Sequence, residues 1–410
     1  MRILISAGEA SGEMYGAELI RALQGRFARS NRHGASSAVG DARTTLDPEF
    51  FGIGGDKMRE AGCELVVDAK ELSVVGITEI LSHLPKIWGL FHKLIAEADK
   101  RKPDLAIVID SPAFNWRVAR EMKKRGIPVV YYVCPQFWAW RQGRVRYLRR
   151  YVDKALVIFP FEEKFYRARG VDAEFVGHPL AQLPRPAGSR KEYAAQHGLD
   201  VAKQWITLMP GSRRKEVFMN VGAMVDATLL LGSGYEYLLP VAPTLDREFV
   251  LREICRETGD DREWGRAELP SIHLVPESLP ALAHSRAAIV ASGTATVQTA
   301  LMETPFVMVY RVTPLSYLLG RWMVKVPHFA MVNLIAGEEV VPELVQQDFT
   351  AQRVVSELRN IIPEGMPRQK MMDGLRKVRT RLRSENPSIS ASERAAEAIF
   401  QLVHAETSTR

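Results

Sequence analysis

A chain of 410 residues that is 46% hydrophobic, 8% aromatic and 25% charged has material for more than one packed core, which excludes a disordered or collagen-like polypeptide. Its net charge of +7 suits an anionic partner, whether a membrane surface, a phosphorylated substrate or nucleic acid, without choosing among them. The longest unbroken apolar run, Val129 to Cys134, is six residues, far short of the roughly 20 that a membrane span needs.

The chain begins Met1-Arg2-Ile3-Leu4-Ile5-Ser6, an apolar stretch too short for a secretion signal, so a cytoplasmic protein is expected. Arg2–Ala7 is the first predicted strand. Asp104–Ile109, Val129–Val133, Ala155–Phe159 and Glu174–Val176 follow, then Trp205–Met209, Glu236–Val241, Ser271–Val275, Ala287–Ala291 and Pro305–Tyr310. Several are rich in Val and Ile without alternation, as strands covered on both faces are. Helix-length segments separate them, which implies parallel sheets with right-handed crossovers. Two runs of about five strands predict an α/β protein with two doubly wound, Rossmann-like domains facing a cleft.

The polar stretch Ser30 to Asp47 reads as a flexible surface insertion, and Gly177 to Asp200, with its prolines and glycines, as an interdomain linker. Ser392 to Ala405 reads as a terminal amphipathic helix with Ser392 as its N-cap. Cys63, Cys134 and Cys255 lie far apart with no CxxC and are expected to be small core residues.

The first strand runs into Ser6-Ala7-Gly8-Glu9-Ala10-Ser11-Gly12-Glu13 and then a helix. Such a turn aims backbone N–H groups at whatever lies above the strand, or simply allows tight packing. Glycines at 8, 12 and 16 fit neither a dinucleotide fingerprint nor a P-loop. Glu9 puts an anion where a phosphate would go, which better suits sugar hydroxyls or another group's proton. The strand Leu105–Ile109 ends at Asp110, followed by Ser111-Pro112-Ala113-Phe114-Asn115. A carboxylate there either caps the next helix or, partly withdrawn from water, serves as a general base.

Cys134-Pro135-Gln136-Phe137-Trp138-Ala139-Trp140-Arg141 is either a loop packed on its domain or an amphipathic edge for an acyl chain or head group. The basic cluster Arg141, Arg144, Arg146, Arg149 and Arg150 fits phospholipid head groups as well as nucleic acid. His178, between Gly177 and Pro179, either lines the cleft or stabilises the turn.

Pro210-Gly211-Ser212-Arg213-Arg214-Lys215 joins a strand to a helix. Cations at a helix start oppose its dipole by roughly 0.3–1 kcal/mol each unless an anion arrives, and a guanidinium can hold a phosphate through two parallel bonds. Ser292-Gly293-Thr294 makes a second turn of this kind, with Gln298 one helical turn on, in reach of ribose hydroxyls. There is no D-x-D, H-x-x-x-H or H-E-x-x-H, so neither a metal nor another cofactor is expected.

Together these motifs, with Phe175-Val176-Gly177-His178-Pro179 and Asn333-Leu334-Ile335-Ala336-Gly337, resemble the lipid-A-disaccharide synthase family, two-domain glycosyltransferases of the GT-B type. The resemblance spans nearly the whole chain. It implies an N-terminal acceptor domain over residues 1–180, a UDP-sugar domain over 181–380, and a C-terminal helix, 381–410, returning to the first domain. It also permits a homodimer with exchanged C-terminal segments. The implied reaction joins UDP-2,3-diacylglucosamine to 2,3-diacylglucosamine 1-phosphate with inversion, giving the β-1′,6 lipid A disaccharide 1-phosphate and UDP for Gram-negative outer membrane biogenesis. By the same match Asp110 is the catalytic base, and Gly211, Ser212, Arg213, Ser292, Gly293, Thr294 and Gln298 hold the UDP. Glu9, Ser11 and Asn333 face the cleft. Gln298 stands where an acidic residue is usual, and Glu13 where Asp is.

Substrates carrying acyl chains must leave a bilayer. Val74, Ile77, Ile80, Leu81 and Leu84 recur at helical spacing, with Lys86 and Lys93 nearby. They form either a core face or a membrane contact on the inner face of the inner membrane. The competing readings are another GT-B enzyme acting on UDP-N-acetylglucosamine, as transferase or epimerase, and a non-catalytic nucleotide-sugar binding protein. Nucleic acid is disfavoured as a partner, because no recognised binding module surrounds the basic cluster.

Overall fold

The computed structural model describes residues 1–35, 47–72, 77–182, 185–258, 271–313, 317–318, 326–383, 386 and 388–407. The chain forms two compact units, one of Met1–Pro179 with Leu382–Arg410 and one of Leu180–Arg381.

The first unit holds β1 (Arg2–Ala7), β2 (Glu49–Gly54), β3 (Cys63–Asp68), β4 (Leu105–Ile109), β5 (Val129–Tyr132), β6 (Lys154–Val157) and β7 (Ala173–Phe175). They form one parallel sheet in the order β3-β2-β1-β4-β5-β6-β7. The second unit holds β8 (Gln204–Met209), β9 (Tyr235–Pro240), β10 (Ile272–Val275), β11 (Ala287–Ala291), β12 (Phe306–Tyr310) and β13 (Glu343–Val345), parallel in the order β10-β9-β8-β11-β12-β13. Helices cover both faces, so central strands read as unbroken apolar runs: every residue of β4 is fully buried.

The doubly wound α/β architecture expected from the sequence is present in each unit. Strand order reverses between β1 and β4 in the first sheet and between β8 and β11 in the second. Open α/β sheets bind ligands at such reversals, beyond the carboxyl ends of the strands. The Gly8 loop follows β1, the Asp110 turn β4, the Arg213 turn β8 and the Ser292 turn β11. All four turns singled out in the sequence therefore lie at the two reversal points.

Several local expectations are corrected. The segment read as a linker contains the helix Arg190–His197, opened by a capping box between Ser189 and Glu192 and closed by Gly198 at φ +67°. Its Tyr193 and Ala194 pack with Leu199, Trp205 and Leu238 in the core of the second unit. The terminal helix runs Ala391–Thr407, and its cap is Ser390 rather than Ser392: Ser390 Oγ accepts from Glu393 N at 3.0 Å, while Glu393 accepts from Ser390 N at 2.8 Å. Cys63 and Cys134 are buried as expected, but Cys255 is only half-buried. The start of the polar stretch, as far as Ala35, is the end of the helix Ala10–Ala35; residues 36–46 lie outside the described residues.

The apolar stripe falls on one helix, Ile77–Arg101, with Pro85 inside it. Val74 and the side chains of Ile77, Ile80, Leu81 and Leu84 lie outside what is described. Among the described residues no helix is long and apolar enough to cross a membrane.

Candidate active site

In the first unit the site is built on backbone that a regular strand end does not use. Asp110 and Ser111 both have φ +48°, and Val133, just beyond β5, has φ +58°. Left-handed conformations of non-glycine residues cost about 1–3 kcal/mol each and cluster where function requires them. The double turn swings the chain from β4 into the helix Pro112–Lys124, whose Ser111 cap makes no side-chain capping bond. Capping is therefore not what the Asp110–Ser111 turn provides.

Asp110 is half-buried, and its carboxyl is pushed up to about 6. Burial is the main cause, the charge of Glu9 adds to it, and the N–H of Ser111 partly offsets both. A carboxylate in that range is ionised at neutral pH yet basic enough to accept a proton. The first loop closes against it: a Cβ at Gly8 would meet Ser111 Oγ at 2.6 Å. A larger residue at position 8 would require the Ser111 side chain to shift. Glu9 and Ser11 are exposed at the same sheet end, so the structure brings Asp110, Glu9 and the Gly8 loop together. Glu13 instead reaches the start of the helix Asp56–Glu60, where its Oε1 accepts from Lys57 N at 2.8 Å.

His178 is buried rather than cleft-lining. Its ring lies 5.3 Å from that of Phe159, its backbone N–H donates to Leu382 O at 2.8 Å, and burial pushes its imidazole down to about 3. The loop after β5 is packed through Trp138, whose Nε1 donates to the buried Glu162 at 2.8 Å; Trp140 stays exposed with Arg141 over its face.

In the second unit Arg213 stands at the cap of the helix Arg214–Leu231, with its side chain 76% exposed. Its one ion pair among the described residues is with Glu216, at 3.3 Å. The same Glu216 accepts from Ser212 N at 2.9 Å and Arg213 N at 3.2 Å. This modifies the expectation for Gly211 and Ser212: two backbone donors of the turn are already engaged by an internal carboxylate, with which the largely exposed Arg213 guanidinium is also paired. Gly211, at φ +129°, is needed because a Cβ there would lie 2.5 Å from that of Glu216.

On the adjacent strand Ser292 Oγ donates to Phe329 O at 3.0 Å. Gly293 and Thr294 are exposed, and a Cβ at Gly293 would meet open space. Gln298 is half-buried one turn into the helix Thr294–Leu301.

Asn333 is the clear correction. It is fully buried, its amide donates to Val341 O and Glu343 Oε1, and its Oδ1 accepts from Val340 N and Val341 N. Its hydrogen-bonding capacity is spent on the fold, and none is left for a substrate.

Sequence reasoning did not single out Glu216, whose signal was its place three residues beyond a helix cap. Nor did it assign roles to Asn115 and Tyr131, which grip the Asp110 turn from the following helix and from β5.

The family model described as Lipid-A-disaccharide synthetase matches residues 3–399. The chain belongs to the lipid-A-disaccharide synthase family. A lipid-A-disaccharide synthase of Koribacter versatilis is 49% identical over 98% of each chain, and one of Acidobacterium capsulatum is 46% identical over 98% of this chain and 96% of that one. Among solved structures, a UDP-GlcNAc 2-epimerase from Neisseria meningitidis bound to UDP-GlcNAc has a TM-score of 0.60 at 11% identity, covering 99% of this chain and 100% of that one. The glycotransferase of kitacinnamycin has a TM-score of 0.60 at 13% identity over 98% and 99%. At such identities these two carry the GT-B fold alone. The family membership carries the activity: glycosyl transfer from UDP-2,3-diacylglucosamine to 2,3-diacylglucosamine 1-phosphate, forming the lipid A disaccharide.

Proposed function

We propose that Asp110 is the general base of this transfer and that Arg213 steadies the departing diphosphate. Asp110 takes the proton of the acceptor's 6-hydroxyl as that oxygen bonds to the donor's anomeric carbon. The bond from that carbon to the β-phosphate oxygen breaks, UDP leaves with the electron pair, and configuration inverts. Arg213 and the exposed start of the helix Thr294–Leu301 supply positive potential where charge develops. Gln298 bonds ribose hydroxyls as an uncharged amide. The observation that carries the reading is a carboxyl at a sheet reversal, on strained backbone, held near pH 6.

The test is turnover of both diacylglucosamine substrates by purified protein in detergent and EDTA. UDP together with a disaccharide 1-phosphate of the expected mass is the expected result. UDP binding by calorimetry without product would sink the reaction mechanism.

Because the base must be ionised, kcat/KM should rise with pH through about 6. Replacing Glu9 with glutamine removes the neighbouring negative charge, lowers the Asp110 pKa and moves this acid limb to lower pH. A limb that stays in place would show that the Glu9 charge is not felt.

The acylated substrates also favour a peripheral position on the inner face of the inner membrane. The helical spacing of Val74, Ile77, Ile80, Leu81 and Leu84 supports this. So does Trp88, further along the same helix, which is 55% exposed beside exposed Lys86 and Lys93. The double variant Val74→Ser, Leu84→Ser should float less with anionic liposomes; unchanged flotation would remove the stripe as the anchor.

A further inference from the structure

The Asp110–Ser111 turn does not hold itself. Two successive left-handed residues without glycine need an outside grip, and the surrounding side chains supply one. Asn115, fully buried in the helix Pro112–Lys124, aims its amide back under the turn. Its Nδ2 lies 2.8 Å from Ile109 O, 2.9 Å from Asp110 O and 3.2 Å from Ser6 O, while Ser6 Oγ donates to Oδ1 at 2.7 Å. The opposite amide orientation would set an oxygen against three carbonyls, so the network fixes which way Asn115 faces. From β5, Tyr131 Oη donates to the same Asp110 carbonyl at 2.8 Å, and Asp110 N donates to Tyr132 O at 3.1 Å.

The Asp110 peptide is thus tied to β1 through Ser6 and Asn115, to the following helix through Asn115, and to β5 through Tyr131. Burial raises the Tyr131 hydroxyl well above its ordinary value, so it remains a donor throughout the working pH range.

We infer that Asn115 and Tyr131 are positioning residues, a two-sided clamp on the main-chain carbonyl of Asp110 that fixes the direction of its carboxylate. The inference rests on the reading of Asp110 as the base. Neither residue offers a free group to substrate: both are fully buried and spend their polar atoms on the turn. What they control is geometry, and a reacting group displaced by about 1 Å can cost roughly 10²-fold in rate. Without the clamp the strained turn relaxes toward ordinary backbone, and the carboxylate moves out toward water. The titratable groups that share its surroundings, Glu9, Tyr15 and Tyr131, do not replace that constraint.

The experiment compares Tyr131→Phe, Asn115→Ala and Asp110→Asn with the parent enzyme in the disaccharide-forming assay. It follows kcat, both KM values, the acid limb of kcat/KM and thermal unfolding. Tyr131→Phe keeps the ring and deletes one hydroxyl. It should lower kcat about tenfold with both KM values within about twofold, and move the acid limb below that of the parent as the carboxylate gains water. Asn115→Ala should lower kcat further in the same sense.

Parent values of kcat and acid limb in Tyr131→Phe would overturn the clamp. So would activity that falls only in step with the folded fraction while the limb stays fixed, which is the signature of a purely structural role. Should Asn115→Ala fail to fold, Tyr131→Phe decides alone. If Asp110→Asn is inactive and Tyr131→Phe is normal, the clamp alone fails; if Asp110→Asn is active, the reading of the base fails first.

Discussion

Asp110→Asn should lower kcat by roughly 10²–10⁴, the share that a positioned general base contributes. Asparagine keeps the size and planarity of the side chain but loses the negative charge and the ability to take a proton. Calorimetric affinity for UDP should be unchanged, because the groups proposed to hold it, Arg213 and the Ser292–Thr294 turn, belong to the second unit. The acid limb of the pH profile should disappear from what activity remains. Stability provides an independent check with a definite sign. The folded pKa of about 6 lies above the ordinary 3.8, so this group favours folding below about pH 4, and that contribution fades as pH rises through 6. The variant, uncharged at every pH, should melt no lower than the parent at pH 8. Near-normal turnover would remove Asp110 from the chemistry and leave its strained turn without a purpose.

Arg213→Ala should cost about 10²–10³ in kcat/KM for the donor, the usual loss when one group aimed at developing charge is removed. The size of the effect follows from how the turn is wired. Glu216 occupies the N–H groups of Ser212 and Arg213, so the turn has little to offer an anion once the guanidinium is gone. Arg213→Lys should restore only part of the loss, since an ammonium cannot make the paired bonds of the planar fork. The side chain is largely exposed, so folding stability should change by less than about 0.5 kcal/mol. A change under threefold in kcat/KM, with unaltered UDP affinity, would assign the diphosphate to other groups.

The sequence reading succeeded where local pattern and fold agree. β1 and β11 begin and end where their apolar runs do, and the turns that follow β1, β4, β8 and β11 all fell at the sheet reversals. It missed β2, whose Glu-Phe-Phe-Gly-Ile-Gly carries two glycines directly after a polar stretch, and β3, which opens Cys-Glu and ends in Asp. β13, three residues at a sheet edge, gives too short a run to read. In the site, residue types suggested a chemistry, and tertiary contacts decide how those groups are held. Asp110 was legible as a carboxylate after a buried strand. Glycine at position 8 is explained only by Ser111, which lies a hundred residues away in sequence. Asn333 misled because a polar residue in a family motif reads as a ligand contact, whereas here it closes the fold of its own segment.

The first unit includes a segment that follows the whole of the second in sequence. The helix Ala391–Thr407 lies against the helix Ala10–Ala35, with Phe400 packed on Phe27, Arg26 stacked over Phe400 and paired with Glu397, and Ala395 and Ile399 fully buried. A ribosome therefore delivers all of the second unit before the first can close its core. The unit that carries Asp110 starts earlier and completes later, because the helix packed on Ala10–Ala35 follows the whole of the second unit in sequence. A premature stop near residue 390 would leave the second unit intact in sequence while stripping the unit that carries Asp110 of the helix packed on Ala10–Ala35.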